Sequence, residues 1–503
     1  MTKVLTIKGG EFQISDELRN MLVLLDNGNL IIAKTYAQNP HVRGFVSRLQ
    51  RLGVQHTIQY ADLSVVMDYY SSDKGKVQHT DMQNAAKTLF ERAVSMRASD
   101  IHIRVSKRQR TQIFFRVHND LEFAEEHPFE YGEKLCSTIY QAMADVSDST
   151  FEQLSRQDAR ISERSKLPIN LDGIRIATSP QVDGYVMVLR LLYNDTSADL
   201  DLVNLGYHPD QADIITLLKK KPTGIIVIGG PTGSGKSTTL QRVLASIILE
   251  TQGRKHIITV EDPPEYPIPG AVQTPVANAD TEEIRSAEFQ KAIKASMRLD
   301  PDIIMLSEVR DKPSARLSIQ AAMTGHQVWT TVHANSAIAI IDRFRDLGVD
   351  AELLTDPTII AGLICQRLVK RLCPHCKRKL MDVADQFNLA DMARIERVVP
   401  LSQVYVQGEG CPECRHTGVM GRTVVAETVM TDNNLMALIK RGERMAAIDY
   451  IRYQLGAISM LQHAIQKIEG GIIDPFQAED IVGLLDAELP VLAVTKTGMH
   501  HAG

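Results

Sequence analysis

The sequence has no run of apolar residues that approaches the ~20 needed to cross a bilayer, so it predicts no transmembrane helix. Its first twenty residues hold no continuous apolar segment followed by a small-residue cleavage site, which predicts a protein kept in the cytoplasm. Only six cysteines occur in 503 residues. In a reducing compartment so few cysteines favour metal ligation over a disulfide framework. A net charge of −5 and the lack of interleaved basic and aromatic residues argue against nucleic acid as a partner.

The length predicts about three domains, because a single core seldom extends over so many residues. Four apolar segments that each end in a polar residue, GIIVIGG, HIITVED, DIIMLSE and QVWTTVH, alternate with helical stretches from Gly224 onward. This pattern predicts a parallel sheet covered on both faces, with a ligand site where the strands end. The predicted order is a small α/β domain at 1–75, a second unit of helix and alternating strands at 76–204, an α/β domain at 205–430, helices at 431–485 and a flexible tail at 486–503.

The segment GPTGSGKST, at 230–238, matches G-x-x-x-x-G-K-[ST] between a predicted strand and a predicted helix. In such a loop the glycines allow backbone N–H groups to face phosphates, and the helix N-terminus adds partial positive charge. Lys236 is expected to reach the β- and γ-phosphates, and Ser237 to bind Mg²⁺. The predicted ATP-binding residues are Gly230, Pro231, Thr232, Gly233, Ser234, Gly235, Lys236, Ser237 and Thr238.

Acidic residues follow two of the predicted strands. Glu308 ends PDIIMLSE, and VEDPPEY presents Glu261, Asp262 and Glu265 in a segment that two prolines keep out of a helix. Glutamates at neighbouring strand ends predict a pair that handles Mg²⁺ and water. For Asp262 a helix-capping role is an equal alternative.

Histidines flank the segment QVWTTV on both sides. His333 leaves the strand at the predicted phosphate side, which favours contact with the γ-phosphate over a purely structural role. The role of His326, at the opposite end, is left open.

Two Cys-x-x-Cys pairs, Cys373 with Cys376 and Cys411 with Cys414, supply four thiolates. Four thiolates are the ligand set of a closed, structural zinc site, with an iron–sulfur cluster as the lesser alternative. The intervening residues, 377–410, must then form a subdomain. Basic residues flank both pairs, and they are expected to balance the negative charge of the zinc tetrathiolate rather than to bind nucleic acid.

Taken in order, GPTGSGKSTT, VEDPPEY, PDIIMLSEVRD, TGHQVWTTVHANSA, LCPHC and GCPECRHTGVMGRTVVAE resemble the secretion ATPase superfamily of type II secretion and type IV pili. Upstream, ASDIHIRV, SRQDARI and VMVLRLL resemble the PAS-like N-terminal domain of that family. The resemblance implies an α/β multidomain protein, in which a PAS-like domain precedes a RecA-like P-loop ATPase domain with a zinc subdomain at 373–414. It also implies a homohexameric ATP hydrolase.

By the same resemblance, Glu265 matches the family's catalytic glutamate and Glu308 its Walker B acid. Arg160, Arg175 and Arg190 occupy stretches in which the family carries charge-neutralising arginines. The sequence departs from the family at RVHNDL, where an Arg-Ile-Asp-Gly turn is usual, and at the second proline of EDPPEY.

The tetracysteine motif resembles the assembly and secretion branch of the family. The leading hypothesis is therefore a cytoplasmic hexamer that powers type IV pilus assembly, most like the motors of type IVb pili such as the toxin-coregulated pilus. Its implied partners are an inner-membrane platform protein and other pilus or secretion proteins, which would hold it at the cytoplasmic face of the inner membrane. The alternatives are a type II secretion pseudopilus motor and, less favoured, a nucleic-acid translocating ATPase.

Overall fold

In a computed structural model of the chain, the described residues are 21–36, 40–61 and 81–488, apart from 109, 148–149, 195–198 and 277–280, together with 4–6, 12, 14, 18, 65 and 66. The segment 71–76, which is polar and contains glycine and so predicts a linker, lies outside them, as does most of the predicted tail. Among the helices within these residues, none is both long enough and apolar enough to cross a bilayer.

The N-terminal unit is a three-stranded sheet with one helix. Its elements are β1 (Leu22–Leu24), β2 (Asn29–Ala33), α1 (Pro40–Arg51) and β3 (Thr57–Ala61). β1 and β2 pair antiparallel around the turn that the sequence predicts at Asp26-Asn27-Gly28-Asn29, where the Leu25 N–H donates to the Asn29 carbonyl oxygen. β3 pairs parallel with β2, because the intervening helix returns the chain to the same end of the sheet.

The second domain, which we call the PAS-like domain, is a seven-stranded antiparallel sheet in the order β6-β5-β4-β10-β9-β8-β7. Alternating residues of its strands pack on the helices, as in β5, where every second side chain is buried. Its elements are α2 (Asp81–Ser95), β4 (Asp100–Ser106), β5 (Arg110–Val117), β6 (Asp120–His127), α3 (Phe129–Ser137), β7 (Val146–Ser147), β8 (Gln157–Ile161), β9 (Leu171–Gln181) and β10 (Gly184–Tyr193).

One prediction within this domain is wrong. The alternation of apolar and polar residues from 99 to 123 predicts two half-exposed strands joined by a basic turn, but the structure has three strands, with a second turn at His118 and Asn119. Both turn residues have positive φ, 49° and 76°. The turn lacks the Asn-Gly or Asp-Gly pair that usually marks such hairpins, and this is why the sequence pattern did not reveal it.

The domain that the resemblance assigns to ATP hydrolysis, called the ATPase domain below, is built on a second seven-stranded sheet, with an additional two-stranded sheet of β17 and β18. Its elements are α4 (Leu202–Leu205), α5 (Pro209–Lys219), β11 (Gly224–Gly229), α6 (Lys236–Glu250), β12 (Ile257–Glu261), β13 (Val272–Pro275), α7 (Glu282–Ser296), β14 (Ile303–Leu306), α8 (Lys312–Met323), β15 (Gln327–Val332), α9 (Ala337–Asp346), α10 (Ala351–Leu354), β16 (Ile360–Leu372), β17 (Arg378–Lys379), α11 (Leu389–Glu396), β18 (Tyr405–Val406) and β19 (Val419–Met430).

The large sheet has the order β13-β12-β14-β15-β11-β16-β19. Its strands are parallel except for the last pair, β16 and β19. The four predicted apolar segments form β11, β12, β14 and β15, all of whose residues are buried. Because neighbouring parallel strands end at one edge, the polar residues that follow them meet there, as predicted.

The chain between the two cysteine pairs forms a compact subdomain that packs against the C-terminal helices. These helices are α12 (Asn433–Lys440), α13 (Arg444–Asp449), α14 (Met460–Glu469) and α15 (Pro475–Val482). Leu380, Ile395 and Val404 of the subdomain share one apolar cluster with Ala464 and Ile468 of α14. The C-terminal helices and the segment 377–410 therefore share a core.

Candidate nucleotide site and cysteine cluster

The P-loop connects β11 to α6 at the carboxyl edge of the parallel sheet. Gly230, Gly233 and Gly235 have φ of 156°, 77° and 84°, a range that side chains with a Cβ rarely adopt. At Gly230 a Cβ would also lie 2.4 Å from Ser234 Oγ and 2.5 Å from the Gln366 carbonyl oxygen. The glycines in the motif are therefore required by the backbone path, which brings N–H groups of the loop and the first turn of α6 to the cleft.

Lys236, the first residue of α6, lies within this loop. Its ammonium group donates to the carbonyl oxygens of Gly230, at 2.8 Å, and Pro231, at 3.0 Å. Burial lowers the pKa of this ammonium, and the negative charges of Glu308 and Glu265 act in the opposite direction. A cation with weak competing partners at the mouth of a phosphate loop is suited to exchange them for phosphate oxygens.

A buried hydrogen-bond chain supports the P-loop from beneath. Gln366 of β16 is fully buried, and its amide N–H donates to the Ser234 carbonyl oxygen at 2.7 Å. The hydroxyl of Tyr207 donates to the Gln366 side-chain oxygen at 2.5 Å and lies 3.3 Å from the Thr239 hydroxyl. The loop is thus fixed to the adjacent strand by side chains that the sequence motif does not contain.

Glu308 and His333 meet because β14 and β15 are parallel neighbours and each residue follows the end of its strand. The His333 Nε2 atom lies 2.7 Å from Glu308 Oε1. The second carboxylate oxygen, Oε2, accepts a hydrogen bond from Arg310 Nε at 2.8 Å. Glu308 is mostly buried, while His333 is half exposed toward the cleft. By contrast, His326 lies at the opposite end of β15, 3.0 Å from the Ala321 carbonyl oxygen, and is absent from the site.

The acids after β12 separate into different environments. Glu261 is buried, accepts hydrogen bonds from Thr259 and Gln273, and has a pKa raised by burial. Asp262 caps no helix. Its carboxylate lies 3.7 Å from a guanidinium nitrogen of Arg285 and 3.5 Å from one of Arg310, so the capping alternative is wrong. Glu265 lines the same cleft as the P-loop.

The three arginines proposed from the PAS-like domain are consecutive cross-strand neighbours. Arg160 on β8 pairs with Arg175 on β9, and Arg175 pairs with Arg190 on β10. Arg175 and Arg190 line the cleft, whereas Arg160 lies one strand further away. Arg190 donates to the buried carboxylate of Asp100 at 3.0 Å, which holds its side chain in place.

These groups enclose one cleft of about 930 Å³ between the PAS-like domain and the ATPase domain. Sequence reasoning missed several residues around it, namely Asp100, Arg116, Asn119, Arg285, Arg310 and Arg422. Arg310 could have been identified from the sequence, because it follows Glu308 by two residues. The others come from distant segments that only the folded chain brings together.

The four cysteines converge as predicted. All four sulfur atoms lie within 4.8 Å of one another, and the sulfurs of Cys373 and Cys411 and of Cys376 and Cys414 are each 3.7 Å apart. A disulfide would need about 2.05 Å, whereas ligands 2.3 Å from a tetrahedral zinc would be separated by about 3.8 Å.

The local backbone also suits thiolate ligands. Burial alone would raise the pKa of the Cys414 thiol, but N–H groups of Cys411 and Gly418 donate to its sulfur and lower that pKa to about 6. The donor set and its spacing therefore fit zinc.

The flanking basic residues form specific contacts. Lys370 pairs with Asp120, Arg415 donates to the Ser95 carbonyl oxygen, and Lys377 lies over the Tyr405 ring. Two of these contacts join the ATPase domain to the PAS-like domain, so their role is wider than the expected charge balance.

Comparison with known proteins agrees with this architecture. A model of the family described as type II/IV secretion system protein matches residues 76–482. The type II secretion system protein E of Klebsiella pneumoniae is 36% identical over 356 residues, which cover 71% of this chain and 67% of that protein. The type II secretion system ATPase E of Vibrio cholerae is 35% identical over 348 residues, covering 69% and 65% respectively.

Solved structures with the same fold include an ATPase and a pilus retraction motor. The ATPase DotB of Yersinia pseudotuberculosis matches with a TM-score of 0.54 at 20% identity, over 80% of this chain and 93% of that one. The pilus retraction motor PilT, solved with bound ADP, matches with a TM-score of 0.51 at 23% identity, over 78% and 95%. The resemblance inferred from the motifs is confirmed, and the chain belongs to the type II/IV secretion system protein family.

Proposed function

We propose that this chain hydrolyses ATP to drive a type II secretion pseudopilus. The observation that carries the proposal is the single cleft in which the P-loop, the Glu308–His333 pair, Glu265 and two arginines of a second domain converge. Phosphoryl transfer depends on positioning and charge stabilisation, and this cleft contains cations from both domains. The curated relatives named type II secretion system protein E favour this cargo over the pilus that the motifs first suggested.

The residues take the following roles in the proposal. Lys236 and the N–H groups of the loop hold the phosphates, and Arg175 and Arg190 neutralise charge that develops on the γ-phosphate. Glu265 accepts a proton from the attacking water. His333, held by Glu308, donates to a γ-phosphate oxygen.

Ser237 and Glu308 would hold Mg²⁺, which when bound offsets the negative charge of the β- and γ-phosphates. The four cysteines would hold a structural zinc. The family resemblance further supports a ring of six copies in the cytoplasm. Such a ring would dock on an inner-membrane platform protein.

Two substitutions test the chemistry in the purified full-length protein. Lys236→Ala should abolish phosphate release from ATP, and Glu308→Gln should lower it at least about a hundredfold while nucleotide binding persists. Lys291→Ala, which removes a surface lysine paired with Glu288, is the matched control and should leave phosphate release unchanged. Wild-type turnover by Lys236→Ala would refute the proposal.

The cargo is tested in a strain whose only copy carries Lys236→Ala, by assaying exported proteins and counting surface pili. Loss of export with pili retained supports the type II assignment. Loss of pili with export retained would return the assignment to pilus assembly. Retention of both would refute a motor role.

A further inference from the structure

A turn of the PAS-like domain contacts the ATPase domain through three consecutive residues. His118 Nε2 accepts a hydrogen bond from the Gly421 N–H at 3.4 Å, and Asn119 Oδ1 accepts one from Arg422 at 2.8 Å. Asp120, the next residue, pairs with Lys370. Arg422 and Lys370 are cross-strand neighbours on β19 and β16, so the turn contacts both strands of this pair. This turn is the place where the sequence departs from the Arg-Ile-Asp-Gly of the family it resembles.

Asn119 binds two arginines, one from each domain. Its backbone carbonyl oxygen accepts a hydrogen bond from Arg116 at 2.7 Å, while its side-chain oxygen accepts the one from Arg422. All three residues line the nucleotide cleft. One residue thus supplies both oxygen atoms that orient a pair of guanidinium groups.

The need for such a residue follows from charge. Two guanidinium groups directed into one cleft repel each other, and each loses hydration there. Hydrogen bonds to a neutral residue hold them in place without cancelling the positive charge that would attract a nucleotide. A carboxylate at that position would hold them equally well but would oppose the phosphates.

The turn itself does not require an asparagine side chain. Asn119 has φ of 76°, a conformation that glycine adopts without strain. The domains also retain the separate Asp120–Lys370 contact. Neither the conformation of the turn nor the contact between the domains therefore accounts for the carboxamide of Asn119.

We propose that Asn119 is a positioning residue for nucleotide binding, which holds Arg116 and Arg422 ready to contact ATP when the two domains close on it. This inference rests on the proposed function, because it assigns these arginines to the same nucleotide. It links the occupied cleft directly to β16 and β19, the strands that flank the cysteine cluster.

The test uses the full-length protein with Asn119→Gly. This substitution preserves the turn and removes only the bond to Arg422, so we expect KM for ATP to rise about fivefold with kcat within about twofold. The dissociation constant of a fluorescent ATP analogue should rise by a similar factor, and the melting temperature should not change. Asp120→Ala is the matched control, since it breaks the neighbouring interdomain contact without touching either arginine, and it should change KM by less than about twofold.

Two results would overturn the inference. KM and the dissociation constant within twofold of wild type in Asn119→Gly would show that the bond has no role in binding. An equal rise in Asp120→Ala would show that the turn only holds the domains together.

The outcome for the proposed function is separate. If the unsubstituted protein binds the analogue but releases no phosphate, the proposed function fails. The role of Asn119 is then tested by the dissociation constant of the analogue alone, compared between Asn119→Gly and the unsubstituted protein. If it binds no nucleotide, both fail.

Discussion

Replacement of Gln366 by leucine should destabilise the ATPase domain and weaken nucleotide binding together. Leucine has a similar volume but leaves the buried Ser234 carbonyl oxygen without its donor and Tyr207 without its acceptor. An orphaned buried polar group costs about 1–3 kcal/mol, and Tyr207 retains its contact with Thr239, so we expect a loss of about 2–4 kcal/mol. For a domain of this size the melting temperature should fall by roughly 5–10 °C.

Urea unfolding of the purified protein, followed with KM for ATP, measures both effects. Gln403→Leu, the same change at an exposed position, is the control and should leave both values unchanged. A double-mutant cycle with Tyr207→Phe adds a sharper criterion. Because the two side chains share one bond, the double variant should cost clearly less than the sum of the single variants. Additive costs, or a loss below about 0.5 kcal/mol for Gln366→Leu, would refute the view that this amide supports the loop.

Two further predictions concern other parts of the chain. The protein should bind one zinc per chain by elemental analysis, and Cys411→Ser should abolish that stoichiometry and lower the stability of α14, which packs on the subdomain. Zinc retained in full by Cys411→Ser would refute the tetrathiolate site. Burial, aided by Arg371, lowers the pKa of Lys467 from 10.5 to about 8. Between pH 8 and pH 10.5 the unfolded chain binds more protons at Lys467 than the folded chain does. The free energy of unfolding should therefore rise by about 3 kcal/mol over this pH range, relative to Lys467→Met. A parallel pH dependence of unfolding in the two proteins would contradict this.

The candidate site residues that the sequence identified are those whose position is set by neighbouring residues in the chain. The P-loop, Glu308 and His333 each lie within a few residues of the strand that positions them, so pattern and position along the chain were sufficient. The cysteine pairs were equally clear, because two short spacings determine where their sulfurs point.

The residues that the sequence did not reveal depend on contacts between distant segments. Gln366 supports a loop that precedes it by more than a hundred residues, and Arg422 reaches a turn of another domain. Asp262 looked equally suited to a helix cap, and only the approach of Arg285 and Arg310 decided its role. The missed turn at His118 and Asn119 has one local signal, since asparagine tolerates positive φ better than most residues.

The length of β16 has a mechanical consequence. The strand has 13 residues and so extends about 40 Å, beginning beside the strand that leads into the P-loop and ending one residue before the first cysteine. Gln366 lies near its middle, roughly 23 Å from Cys373 along the strand. Because β19 pairs with β16 along its length, the two strands form one ribbon that runs from beneath the P-loop to the cysteine cluster. If that ribbon tilted by about 5° at Gln366, the cysteine cluster would be displaced by roughly 2 Å.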